Sequence, residues 1–123
     1  VMPLRKINRL IAISALKNFV LHKNYAFNEL YKINNKKNKI NIDDLGYLIG
    51  PILNSGGRLG KSSYATELLS SENNETINQK VVDLNELNNK RKKIETLTLN
   101  QIDFKEIEKK NEPIVFYYNP NIN

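Results

Sequence analysis

Ile77, Val81, Leu84 and Leu87 step by four, three and three residues, the spacing that lines up one face of an α-helix. After the polar run Asn88–Lys93 the stripe resumes at Ile94 and Leu97, and Asn73-Asn74-Glu75 supplies capping side chains ahead of it. This pattern predicts a helix from about Glu75 to Ile102, about 28 residues and about 40 Å long at the usual rise per residue. A chain of 123 residues is about one domain's worth and cannot cover such a rod along its length. The expectation is therefore a connecting helix, polar in its middle. Hydrophobic residues make up 40% of the chain, enough for one modest core and too many for a disordered tail. With no Cys, a disulfide scaffold and a thiolate zinc site are excluded. No apolar run approaches the roughly 18–20 residues that span a bilayer, and the first residues lack a signal peptide's apolar stretch. A cytoplasmic chain without a membrane partner is the expectation.

The rest of the chain reads as mainly α. Ile7, Leu10, Ile11, Ile13, Leu16 and Val20 predict an amphipathic helix over Ile7–Leu21, with Pro3 ahead of it. A second helix is expected over Ala26–Ile33, then a basic loop over Asn34–Lys39. Asp43-Asp44 reads as the N-cap of a third helix running from about Asp44 to Leu53. Asn54–Ser63, with three glycines in five residues, reads as a loop. A fourth helix is expected over Ser63–Ser71, capped by Ser62 or Ser63, with Tyr64, Ala65, Leu68 and Leu69 turned inward. Pro113–Tyr118 is β-branched and aromatic, a strand by composition with no partner in the chain.

Most chemistry-bearing residues have bland explanations. Ser55–Ser62 nearly reads as a phosphate-cradling P-loop, but its first position is Ser55, helix rather than strand precedes it, and no acidic strand end follows for magnesium. His22 is the sole histidine, a poor start for a metal site. Asp43-Asp44 reads as a cap rather than a catalytic pair, because adjacent side chains diverge. Lys90–Lys93 reads as a solvated face. Tyr25, Phe27 and Tyr31 carry helical spacing and read as core rather than a base-stacking platform. The net charge of +6 favours a polyanionic partner, although abundant Lys and Asn also mark AT-rich coding. Arg58 stands out. Set between Gly57 and Gly60 and ahead of a helix, its guanidinium could grip two phosphate oxygens at once, against the alternative of capping the helix before it.

Several segments together resemble a known family. Gly50-Pro-Ile-Leu-Asn-Ser-Gly-Gly-Arg-Leu59 resembles the G-P-R-[LI]-N-A-A-G-R-[LM] signature of the bacterial RecJ single-strand-specific 5′→3′ exonucleases of the DHH phosphoesterase superfamily. Val1-Met-Pro-Leu-Arg with Asn8-Arg9 resembles the V-V-P-L…N-R segment after the last metal-binding motif. Asp43-Asp44-Leu-Gly-Tyr resembles the D-[IL]-G-F lead-in, and Leu84–Asn88 with Arg91 the L-D-x-L-N-x-x-R of the long connecting helix. Pro113–Tyr118 resembles the first strand of the DHH-associated (DHHA1) domain.

The resemblance implies three parts: 1–72, the C-terminal helical part of a DHH catalytic domain; 73–103, the connecting helix; and 104–123, the truncated start of the DHH-associated domain. It implies single-stranded DNA as partner, with Arg58, Asn54 and Gly57 at the substrate phosphate. It also implies manganese or magnesium in the full-length family. Its DHH triplet and glycine-rich motif are absent from this sequence. The chain is therefore expected to be an internal piece without catalytic residues or metal ligands of its own, inactive unless a separately encoded DHH part completes it. Ile52 stands where the family has Arg, and Ser55-Gly56 where it has Ala-Ala, which is expected to loosen the loop. From the residues alone, a small stand-alone basic helical nucleic-acid-binding or scaffolding protein is the alternative.

Overall fold

The computed structural model of the chain describes residues 5–37 and 39–102 and the separate positions 104, 114, 116 and 118; among them every regular element is helical. Helix α1 (Lys6–Asn18) ends three residues short of the expected Leu21, where Phe19 turns extended and Leu21–Lys23 adds one 3₁₀ turn. Helix α2 (Tyr25–Ile33) begins at Asn24, whose side chain accepts from the Phe27 amide at 3.3 Å. It ends where Asn35 adopts φ 54° and lets the Lys36 and Asn35 amides reach back to the Tyr31 and Lys32 carbonyls at 2.9 and 3.0 Å. That is a Schellman stop with asparagine in the place glycine usually takes.

The third helix departs from expectation at both ends. Its N-cap is Asn41, and the Asp43-Asp44 pair lies inside the first turn of α3 (Ile42–Asp44). Asn41 Oδ1 accepts from the Asp44 amide at 2.9 Å, while the Asn41 amide donates to Asp44 Oδ2 at 3.2 Å, a reciprocal box that satisfies two free donors. The chain then widens into a π-helical stretch, Leu45–Ile49, before α4 (Gly50–Arg58). Pro51 explains the widening: it has no amide to donate, and its ring would crowd the carbonyl four residues back in an unbroken α-helix. Gly50 fits this bulge because a Cβ there would sit 2.8 Å from the Leu45 carbonyl oxygen that its own amide bonds.

The expected loop Asn54–Ser63 is therefore half helix. Asn54–Arg58 are the last residues of α4, and only Leu59–Ser63 connect onward. Gly60 takes φ 75° and the Lys61 amide reaches the Gly56 carbonyl at 2.7 Å, a second Schellman stop. Ser55 and Gly56, expected to loosen a loop, instead form a tight contact with the long helix α6 (Asn74–Asn100). Ser55 Oγ lies 2.6 Å from the Ile52 carbonyl and 3.0 Å from the Leu84 carbonyl, and a Cβ on Gly56 would stand 3.1 Å from a Leu84 methyl. Helix α5 (Tyr64–Ser70) starts after Ser63, which does not cap it; the Ser63 hydroxyl bonds Glu67 instead. Leu68 is buried as expected, whereas Leu69 is exposed. Helix α6 begins as read: Asn73 Oδ1 accepts from the Glu75 and Thr76 amides at 2.8 and 3.1 Å.

The chain divides into two units, Val1–Asn88 and Asn89–Asn123. In the first, Leu30 and Tyr31 of α2, Ile49 and Ile52 beside the bulge, Leu68 of α5, and Ile77, Val81 and Leu84 of α6 form the buried core. Helix α1 contributes no buried residue. In the second, the rest of α6 carries an Arg91–Glu95 pair at 2.8 Å, and Leu97 and Leu99 are exposed. The described residues hold no strand. Of the strand expected at Pro113–Tyr118, Ile114, Phe116 and Tyr118 are exposed and outside regular structure, and its other residues lie outside the described ones.

Candidate functional site

The helical run from Ile42 to Arg58 has two faces. Asp44, Ile49, Ile52, Ser55 and Gly56 turn into the core. Asp43, Gly46, Tyr47, Asn54, Gly57 and Arg58 are exposed. Asn54, Gly57 and Arg58 are related by three and four positions, so the three residues singled out from sequence are neighbours on one outer face. Arg58 occupies the last turn of α4, where a cation complements the negative helix end. The capping alternative is thus part of its environment, yet the side chain remains exposed and makes no ion pair with a described residue.

The glycines separate structural from unassigned roles. Gly50 accommodates the bulge, Gly56 the approach of Leu84, and Gly60 the positive φ. A Cβ on Gly46 or Gly57 would meet nothing within 4 Å. Each sits inside a helix at a cost of about 1 kcal/mol against alanine, and both lie on the outer face with Asn54 and Arg58. They leave bare backbone there that no packing requirement of the fold explains.

Beyond Arg58 the connection adds further cations. Lys61 is exposed, with its Nζ 5.9 Å from the Tyr64 ring centroid. Lys80 lies closer, 3.6 Å from the same centroid, and pairs with Glu67. The Lys80 hydrogen bond, helped by Ser63, holds the Glu67 carboxyl below its usual range, and Glu67 in turn raises the Lys80 ammonium above its own. Lys80 is thereby neutralised locally, while Arg58 and Lys61 face solvent.

Other candidates resolve into structure. Asp44 is buried, accepting from the Tyr31 hydroxyl at 2.7 Å and pairing with Lys36 at 3.2 Å. Its carboxyl is held below the usual range by the Tyr31 hydroxyl first and by Lys36 and the Asn41 amide after it, while burial and Asp44 push the Tyr31 phenol far up. Tyr31 is core, Phe27 packs edge-on against Phe19 at 5.3 Å, and the Tyr25 hydroxyl donates to Asn78 at 3.1 Å. His22 is exposed in the 3₁₀ turn, and Lys90, Lys92 and Lys93 are exposed on α6. Ile52, standing where the family has Arg, is fully buried. Among the described residues no group of three or more His, Cys, Asp or Glu is placed to hold a metal ion. No helix there is long and apolar enough to cross a membrane. Sequence reasoning missed Tyr47, 83% exposed on the outer face. Its signal was the capped helix start Asn41–Asp44, which sets the phase of the residues that follow.

These features define a helical segment with a solvent-facing basic end and a bare glycine-lined face, without a metal centre among the described residues. Over 97 residues, 77% of this chain, the sequence is 34% identical to the single-stranded-DNA-specific exonuclease RecJ of Haemophilus influenzae, and the chain spans 17% of that protein's length. The chain therefore carries a RecJ-related region. No protein-family profile and no solved structure matches it.

Proposed function

We propose that this chain is the substrate-gripping helical segment of a single-stranded-DNA exonuclease of the RecJ type, inactive by itself and completed by polypeptide that carries the metal centre. The observation that carries this reading is the 34% identity to that exonuclease across 77% of the chain. Two features of the fold support it. The outer face of α4 presents Arg58 beside Asn54 and the bare backbone of Gly57, an arrangement able to receive a phosphodiester and donate two parallel hydrogen bonds to it. Helix α1 leaves Ile7, Leu10, Ile11 and Ile13 exposed, a surface that a helix buries when further polypeptide packs on it. In this reading the arginine end holds a strand phosphate in the cleft toward the hydrolytic centre, and the connecting helix spaces the parts on either side.

The test uses the purified chain and 5′-labelled single-stranded DNA. Binding measured by fluorescence anisotropy is expected to weaken by about 1.5–3 kcal/mol, about tenfold or more, in Arg58→Ala, the value of a charged hydrogen bond to phosphate. With manganese present the chain should release no nucleotides. Sustained release would overturn the inactive-segment reading. Binding indifferent to Arg58→Ala would instead favour a diffuse basic binder, since one charge among 19 Lys and Arg would then go unnoticed.

A further inference from the structure

We infer that Tyr47 is a base-stacking contact, and that with Asn54, Gly57 and Arg58 it forms a single-strand track along the outer face of the helical run. The inference rests on the nucleic-acid reading above and adds to it the part of the ligand, the base, that an arginine on phosphate does not read.

Tyr47 is 83% exposed, although the same run buries Ile49 and Ile52 and half-buries Leu45 and Leu48. The phase that hides those residues turns Tyr47 to the side of Asn54, Gly57 and Arg58. A tyrosine that packs its ring finds its hydroxyl a partner, as Tyr31 and Tyr25 do in this chain by donating to Asp44 and Asn78. Tyr47 makes no such bond with a described residue and leaves its ring to solvent. The two glycines without an internal role lie on the same outer face, Gly46 next to Tyr47 in the chain and Gly57 next to Arg58, and a Cβ at either would meet nothing within 4 Å. Without a Cβ at either place, a strand can lie close to the helix backbone between the two contacts.

Tyr47 and Arg58 are 11 positions apart, about 16 Å along the axis at 1.5 Å per residue, the reach of a few nucleotides. An aromatic face open to solvent accepts any base, but only one that is unstacked, and so selects single strands over duplex without reading sequence.

The experiment compares two 5′-fluorescein oligonucleotides of about twelve nucleotides, within the usual site size for a single-strand binder: oligothymidylate and an abasic strand with the same phosphates. The wild-type chain should bind the abasic strand at least about fivefold more weakly. Tyr47→Ala should bind oligothymidylate about fivefold to a hundredfold more weakly than wild type and should not distinguish the two strands. Tyr47→Phe should behave as wild type, and circular dichroism melts should show all variants equally folded, as expected for a side chain this exposed. If Arg58→Ala weakens binding but Tyr47→Ala does not, the stacking contact is wrong while the phosphate reading stands. If the chain binds neither strand, or Arg58→Ala is silent, both fail together.

Discussion

At the scale of single residues, Asp44 joins three parts of the fold. Its carboxylate accepts from the Tyr31 hydroxyl and the Asn41 amide and pairs with Lys36, linking α2, the loop after it and the start of α3. A carboxyl whose pKa is lower folded than unfolded stabilises the fold fully above its ordinary range, and that contribution is lost as pH falls through the folded value. Chemical denaturation followed from neutral pH to below pH about 4 should therefore show stability falling on the acid side. Asp44→Ala should cost about 1.5–3 kcal/mol at neutral pH, because it leaves the buried Tyr31 hydroxyl without its acceptor. It should also flatten that acid slope. An unchanged slope in the variant would assign the acid loss to other carboxylates. The asparagine box around Asp44 was hidden from sequence reasoning because Asp43-Asp44 resembles a cap just as well; the backbone register of one turn decides between them.

At the scale of elements, two adjacent glycines of α4 behave oppositely. Gly56→Ala places a Cβ 2.6 Å from the Lys61 carbonyl and 3.1 Å from Leu84. The first contact is backbone, held by the helix stop, and cannot move aside cheaply. The gain in helix propensity, about 1 kcal/mol, is outweighed by overpacking of about 1–3 kcal/mol, and the thermal midpoint should fall. Gly57→Ala meets open space, so the midpoint should rise while single-strand affinity drops. If Gly57→Ala raised the midpoint and left affinity untouched, the bare backbone would have no part in binding. The periodic helices α1, α2 and α6 were legible from spacing and caps. The second half of α4, Asn54–Arg58, was not, because Asn-Ser-Gly-Gly is loop-like in propensity and becomes helical through Ser55 and Gly56 fitting against Leu84.

At the scale of the whole molecule, helix α1 stands out for an apolar face left uncovered by the described residues. It holds no acidic residue in its first turn and exposes Leu10 and Ile11 by about two thirds, at 67% and 61%. Polar substitutions there remove no buried contact. Leu10→Lys with Ile11→Lys should leave the folding stability within about 0.5 kcal/mol of wild type and suppress self-association at high concentration, as read by light scattering. A large loss of stability would mean that this face is covered within the chain's own fold.

What the sequence determined by itself was local: an apolar period of 3.6 sets which stretches are helical, and Asn, Ser and Gly at their ends stop them within a residue or a few. The placement of Asn54, Gly57 and Arg58 on one face follows from that same period once the stretch is known to be helical. Tertiary structure decided the rest. It determined that Ser55 and Gly56 pack against Leu84, and that Tyr47 ends outside while Tyr31 ends in the core. Side chains of one chemical type divide between core and solvent according to which helix lies opposite them, and that neighbour is 29 residues away for Ser55.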